Sequence, residues 1–250
     1  MPHGTVVILA GGQGSRLRPY THVLPKPLIP VGDIPILEIV IRQLRNDGFN
    51  RIILAVGVLD GLIRSYFGDG SRFGVEILYS KEDRELGTVG PLHLVSHLLP
   101  RTFLLMNGDV LTDLDFAALM EHHLSSRTVL TVSRWPRRIQ MADGVIETGP
   151  AGRLTGFSEK PTFTVWISIG VYAMDRSVLD WIPMDRVFGM DGLIGSMLQK
   201  EVGVNTFHHE GTWYDIGSTG DLERATAAFH NERGRFLPDA SDHREAAAVA

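Results

Sequence analysis

Cysteine is absent from the 250 residues, which removes disulfides, thiolate metal sites and thiol nucleophiles together. That absence suits a reducing compartment, and a cytoplasmic location is expected. Long apolar runs are missing as well. None approaches the roughly 18 residues of a membrane-spanning helix, and Met1-Pro2-His3-Gly4 offers no basic leader, so neither secretion nor a membrane partner is expected. Basic excess is lacking too: 24 Lys and Arg stand against 29 Asp and Glu, a net charge of −5, and nucleic acid is not an expected partner. The 10 histidines show no HExxH or other metal-ligand spacing, and Gly-x-Ser-x-Gly does not occur. What is there is 44% hydrophobic and 21% charged residues, enough for the core of one α/β domain with an insertion, which excludes global disorder.

The hydrophobic pattern supplies the architecture. Thr5 to Ala10, Arg51 to Val56, Val75 to Tyr79 and Phe103 to Met106 read as buried strands. Helical spacing marks Leu37, Val40, Ile41 and Leu44, then segments near Leu59 to Phe67, Val89 to His97 and Phe116 to His123. This alternation predicts an α/β fold: a doubly wound, mixed but mostly parallel sheet built from βαβ units. Between Arg134 and Ile167 the pattern changes to short strands at Gly144 to Ile146, Leu154 to Ser158 and Val165 to Ala173, which suggests hairpins beside the main sheet. Helices are expected again at Arg176 to Trp181 and Gly192 to Gln199, with a strand at Val204 to His208. Ser218 and Asp221 are spaced as in a capping box before a last helix. A single domain over residues 1–234 is expected, with 134–170 forming much of a sub-region and 235–250 a tail.

Three constellations have chemical content. Gly11, Gly12 and Gly14 follow the first strand, with Arg16 and Lys26 close behind; glycines let backbone N–H groups approach a phosphate, and two cations would grip it from more than one side. No GK[ST] closes the turn, and it runs into five prolines (Pro19, Pro25, Pro27, Pro30 and Pro35), so it is neither a Walker loop nor a dinucleotide fingerprint. Asp109 stands just past the carboxyl end of the fourth strand, and Asp215 sits between large apolar neighbours ahead of the last helix. Two such carboxylates would serve a magnesium ion, or else Asp109 caps a turn and Asp215 pairs with an arginine. Glu159-Lys160-Pro161 reads as a phosphate and sugar grip or as an ordinary hairpin end.

Together these segments resemble the sugar-1-phosphate nucleotidyltransferases. The resemblance rests on Leu9-Ala10-Gly11-Gly12-Gln13-Gly14-Ser15-Arg16-Leu17-Arg18-Pro19, Pro25-Lys26-Pro27-Leu28, Leu86-Gly87-Thr88, Asn107-Gly108-Asp109, Phe157-Ser158-Glu159-Lys160-Pro161 and Trp213-Tyr214-Asp215-Ile216-Gly217, all in the family's order. The Pro-Lys-Pro-Leu form is closest in style to mannose-1-phosphate guanylyltransferase-like members. The resemblance implies a Rossmann-like domain with a small inserted β region for the sugar phosphate. It also implies Mg2+ and a reaction that joins an NTP to a sugar 1-phosphate with release of pyrophosphate.

By position, the resemblance puts the nucleotide on Leu9, Gly11, Gly12, Gly14, Ser15 and Arg16, the base near Glu82, Gly87 and Thr88, and the ribose near Gly108. Arg16, Lys26 and Asp109 would be catalytic, Asp109 and Asp215 would hold the metal, and Gly144, Glu159, Lys160, Ser168 and Gly170 would receive the sugar phosphate. Such chemistry needs positioning and charge neutralisation and no protein nucleophile. Ser15 replaces a common Thr, and Ser168 replaces a common Asn, which alters the sugar side. No β-helix or acyltransferase segment follows, so a bifunctional acetylating enzyme is not expected. An ionised Glu82 can only accept hydrogen bonds, which favours the adjacent donors of guanine and hence GTP, ahead of CTP, UTP and dTTP; otherwise Glu82 faces solvent and backbone groups read the base. A non-catalytic nucleotide-sugar-binding regulatory subunit is the alternative from another class. A symmetric homo-oligomer is expected.

Overall fold

The computed structural model of the chain describes residues 4–12, 14–57 and 59–237. The first apolar run becomes β1 (Thr5–Ala10), whose Val6, Val7 and Ile8 are fully buried, as a strand covered on both faces requires. Proline fixes φ and removes backbone donors, so the stretch that follows holds only 3-10 turns at Ser15–Leu17, Tyr20–His22 and Lys26–Leu28. It ends in a small hairpin of β2 (Pro30–Val31) and β3 (Ile34–Pro35). α1 (Ile36–Asn46) buries the expected stripe of Leu37, Val40, Ile41 and Leu44. β4 (Arg51–Val56), α2 (Asp60–Phe67) and β5 (Glu76–Lys81) follow, with Ile8 paired to Leu54 and Leu54 to Tyr79 in parallel ladders.

Residues 89–98 differ from the expected α-helix and form 3-10 turns at Gly90–His93 and Ser96–Leu98. Val89, Leu92 and Val95 are buried at a spacing of three, which is the 3-10 period, so the tighter helix keeps one face on the sheet. Arg176–Trp181 is likewise a 3-10 segment, capped by the Asp175 side chain on the Ser177 N–H.

β6 (Thr102–Asn107) lies parallel to β1 on the side away from β4, and β7 (Val110–Thr112) leaves the sheet. The Asp115 carboxylate accepts the Ala118 N–H at 2.7 Å and starts α3 (Phe116–Ser126). β8 (Leu130–Gln140) runs beyond the sheet and carries the inserted region outward. There β9 (Val145–Thr148) and β10 (Leu154–Ser158) form an antiparallel hairpin, while Val165 to Ala173 lies inside one 14-residue strand, β11 (Thr162–Asp175), laddered to β8. α4 (Met190–Gln199), β12 (Val204–His208), β13 (Trp213–Asp215), α5 (Thr219–Asn231) and α6 (Arg233–Phe236) complete the described chain. Ser218 caps α5 by accepting the Asp221 N–H at 3.3 Å.

The main sheet has seven strands in the order β12-β8-β11-β6-β1-β4-β5, and only β11 runs against the rest. This is a Rossmann-like, doubly wound, mostly parallel α/β sheet with an inserted β region. The chain winds outward through β4 and β5 on one side of β1 and through β6 on the other. The carboxyl ends of β1 and β6 therefore flank the crevice where open α/β sheets bind ligands. A third apolar cluster, separate from those on the two sheet faces, joins Leu17, Ile29 and Ile36 to Leu111, Ile216 and Phe229. It pins the proline-rich loop and β13 to α5, and full burial of each such side chain stabilises by about 1.5–3 kcal/mol. The expected tail begins inside packed structure, since Phe236 is fully buried beside Phe229; residues 238–250 lie outside the described residues.

Candidate active site

The crevice is built where backbone comes closest. The Gly108 N–H donates to the Leu9 carbonyl at 3.0 Å, and a Cβ on Gly108 would stand 3.0 Å from that oxygen, so glycine lets the Asn107–Asp109 turn lie on the end of β1 without pushing it back. Gly11 and Gly12 are exposed there, and Ser15 and Arg16 open the first 3-10 turn. Leu17 is fully buried and anchors that turn with Arg16 outside. The Thr21 hydroxyl donates to the Gly14 carbonyl at 2.9 Å, tying the glycine turn to the segment that carries Lys26.

The two aspartates meet through an element the sequence did not reveal. β7 and β13 pair antiparallel, Asp215 opposite Val110, and the Ile216 N–H donates to the Asp109 carbonyl at 3.0 Å. Lys26 Nζ forms an ion pair with Asp109 Oδ2. Burial, and after it the charge of Asp109, hold the Asp215 carboxyl above the usual range, while Lys26 and Arg16 pull it the other way. The Arg16 guanidinium packs on Gly217, whose added Cβ would lie 3.2 Å from Nη2. Arg16, Lys26, Asp109 and Asp215 thus converge at the switch point. Among the described residues no group of three or more His, Cys, Asp or Glu forms a metal cage. Two hard carboxylates, one raised by the other, fit magnesium, which takes its remaining ligands from water and phosphate.

Beside this group, Glu82 is half-buried, with Oε2 accepting the Leu86 N–H at 3.3 Å and Oε1 facing Gly11. Burial raises its carboxyl above the usual range, Glu85 adds to the rise, and the Leu86 hydrogen bond opposes it. Gly87 has φ 79, and a Cβ there would come within 2.6 Å of the Phe188 carbonyl oxygen. The Phe188 N–H donates to the Leu86 carbonyl at 2.9 Å and the Val89 N–H to the Phe188 carbonyl at 3.2 Å, so residues 86–89 are clasped by a segment sequence reasoning did not single out. The Thr88 hydroxyl accepts the Met190 N–H at 2.8 Å at the start of α4.

A cleft of about 770 Å³ opens between β8, β13 and the start of α5, lined by Arg16 and Asp215 and by Trp135, Arg137, Arg138 and Trp213. Trp135 and Trp213 stand 5.8 Å apart between ring centroids. Ser168 and Tyr172 share a hydrogen bond at 3.0 Å across a register shift in β11, and Gly170, at φ 74, lies against the Asn107 side chain. Gly144 and Glu159 come together at the hairpin, where a Cβ on Gly144 would be 3.2 Å from Glu159 Oε2, and Lys160 follows at φ 44. This exposed group stands at the far end of β11 from Ser168 and Gly170. Thr162 is six residues from Ser168 on one strand, about 20 Å at ~3.3 Å per residue.

The sequence model of the nucleotidyl transferase family matches residues 5–232. The chain belongs to that family. Curated members include a UTP–glucose-1-phosphate uridylyltransferase from Synechocystis, 32% identical over 88% of this chain, and a mannose-1-phosphate guanylyltransferase from Mycobacterium tuberculosis, 31% identical over 88%. The nucleotidyl transferase chain spans 61% and 63% of those relatives' lengths. A solved Bacillus anthracis structure, provisionally named a glucose-1-phosphate thymidylyltransferase, superposes with a TM-score of 0.72 at 25% identity, covering 89% of this chain and 94% of the other. These family members differ in the base they name. No helix among the described residues is long and apolar enough to cross a membrane.

Proposed function

We propose that the protein is a sugar-1-phosphate nucleotidyltransferase that joins an NTP, GTP by preference, to a sugar 1-phosphate. The convergence of Arg16, Lys26, Asp109 and Asp215 at the β1–β6 crevice carries this reading. In the reaction a phosphate oxygen of the sugar 1-phosphate attacks the α-phosphorus of the NTP. A new P–O bond forms, the bond to the β-phosphate breaks, and pyrophosphate leaves in line. Arg16 and Lys26 neutralise charge on the triphosphate and on the departing pyrophosphate. The glycine turn brings backbone N–H groups to the same oxygens. Asp109 and Asp215 would hold Mg2+, which when bound supplies a Lewis acid for the phosphate oxygens. Lys26 then has two tasks: it balances Asp109 in the resting site and faces the triphosphate in the loaded one.

Glu82 supports the choice of base. When ionised it accepts hydrogen bonds only, and guanine presents adjacent N1–H and N2–H donors, whereas uracil and thymine set carbonyl oxygens beside their one N–H. A matrix of all NTPs against sugar 1-phosphates, read by product mass, tests the assignment. GTP is expected to lead, and E82Q to erode its lead; preference for UTP or dTTP would contradict the reading of the base.

A further inference from the structure

The cleft beside the aspartates carries an unusual set of polar groups. Trp135 donates its indole N–H to the Gly211 carbonyl at 2.9 Å and Trp213 donates to the Ile169 carbonyl at 3.1 Å. Both rings are therefore fixed, with no donor left for a ligand. Asp221 accepts from Ser218 at 2.6 Å and from Arg224 at 2.5 Å, and Arg224 is neutralised by it. Asp215 belongs to the proposed metal group. Arg16 belongs with Asp215 to the reacting group, and beside the Tyr214 hydroxyl Arg137 and Arg138 remain: both are exposed on β8, both line the cleft, and neither has a carboxylate within ion-pair distance among the described residues. The Arg137 guanidinium carbon lies 5.6 Å from the Trp213 ring centroid, which holds it at the cleft wall.

The two arginines offer donors and no acceptors. Each guanidinium carries five N–H donors and accepts nothing. The hydroxyls of a neutral sugar both donate and accept, so against these two side chains half their capacity goes unmatched. A carboxylate or phosphate only accepts, and the planar fork of arginine fits it with paired hydrogen bonds. We propose that Arg137 and Arg138 receive a second anionic group, so that the preferred substrate is a sugar 1-phosphate bearing a carboxylate or a second phosphate. This rests on the nucleotidyltransferase reading of the same cleft and adds the class of sugar to it.

Matched pairs test it with all NTPs and Mg2+ present: glucose 1-phosphate against glucuronic acid 1-phosphate, and mannose 1-phosphate against mannose 1,6-bisphosphate. The anionic member of at least one pair is expected to have a kcat/KM tenfold or more above its neutral partner, and whichever pair responds tells carboxylate from phosphate. The R137Q/R138Q double variant is expected to lose that advantage while changing the neutral rate less than about threefold; the single variants and a thermal melt check that the fold survives. Equilibrium binding of the same four sugar phosphates is measured in parallel. Tighter binding of an anionic sugar without turnover would keep the arginine site and overturn catalysis. Turnover with neutral sugars preferred, or equal losses for both classes in the variant, would overturn the arginine site and leave the nucleotidyltransferase intact. No binding and no turnover would overturn both.

Discussion

Replacing Gly87 by alanine perturbs the site at a place where the cost can be worked from the backbone. The residue has φ 79, and its new Cβ would meet the Phe188 oxygen at 2.6 Å and the Phe188 carbon at 2.8 Å. Neither atom belongs to a flexible side chain, so relief requires the two strands of chain to part. The left-handed conformation costs an alanine about 1–2 kcal/mol. Weakening the two hydrogen bonds that join residues 86–89 to Phe188 adds about 1–2 kcal/mol. The sum, about 2–4 kcal/mol, corresponds to a fall in Tm of roughly 4–16 °C for a domain of this size. Because Thr88 and Glu82 adjoin the same turn, KM for the NTP should rise more than kcat falls. Gly61 is the control: it lies within α2 with nothing within 4 Å of an added Cβ, so G61A should raise stability by about 0.5–1 kcal/mol and leave the kinetics alone. Calorimetry and initial rates at varied NTP read both variants. A G87A protein with unchanged Tm and KM would refute the reasoning.

D109N and D215N should each lower kcat by about a hundredfold to a thousandfold, the scale of losing one preorganised charge at a phosphate, with unchanged rates removing that carboxylate from the mechanism. Without Mg2+, ionised Asp215 opposes folding, because its folded pKa is raised: stability is greatest below the unfolded value of 3.8 and falls as pH climbs through the folded one. D215N should therefore melt no lower than the parent at neutral pH, and a large fall in Tm would contradict this. For Glu82, also raised, GTP affinity should improve as pH rises from its ordinary value of 4.5 through the folded pKa, while E82Q stays flat; parallel profiles would remove Glu82 from base reading. Asp113 accepts the Thr212 N–H at 2.5 Å and contacts His209 at 3.2 Å, clasping the far end of the β7–β13 pair. D113N should cost about 1–3 kcal/mol and raise the Mg2+ concentration needed for half-maximal rate, seen by melts and a metal titration; an unchanged Mg2+ requirement would show that the clasp does not position the aspartates.

Much of the frame was legible from residue pattern. β1 and β4 have the bounds expected of their apolar runs, because a strand buried on both faces must be apolar nearly throughout. The Ser218 cap was readable because capping is local. The turns at 90–98 were misread as α-helix because buried residues three apart fit either period over so short a span. β7 and β13 went unseen since three-residue strands show no alternation, yet their pairing is what sets Asp109 beside Asp215. The Phe188 clasp depends on residues about a hundred positions apart, and backbone contacts at that range leave no local signature. Arg137 and Arg138 passed unnoticed for a similar reason: exposed arginines on a strand look ordinary until the fold bends a cleft around them.

The most direct test of the account is the stoichiometry of turnover by the intact protein with Mg2+, an NTP and sugar 1-phosphates of both charge classes. Pyrophosphate and nucleotide sugar are quantified together, beside D109N as the inactive control. The account predicts one pyrophosphate for each nucleotide sugar, formed by the parent protein and reduced at least a hundredfold in D109N. Folded parent protein that releases no pyrophosphate from any pair, or D109N that matches its rate, would contradict it.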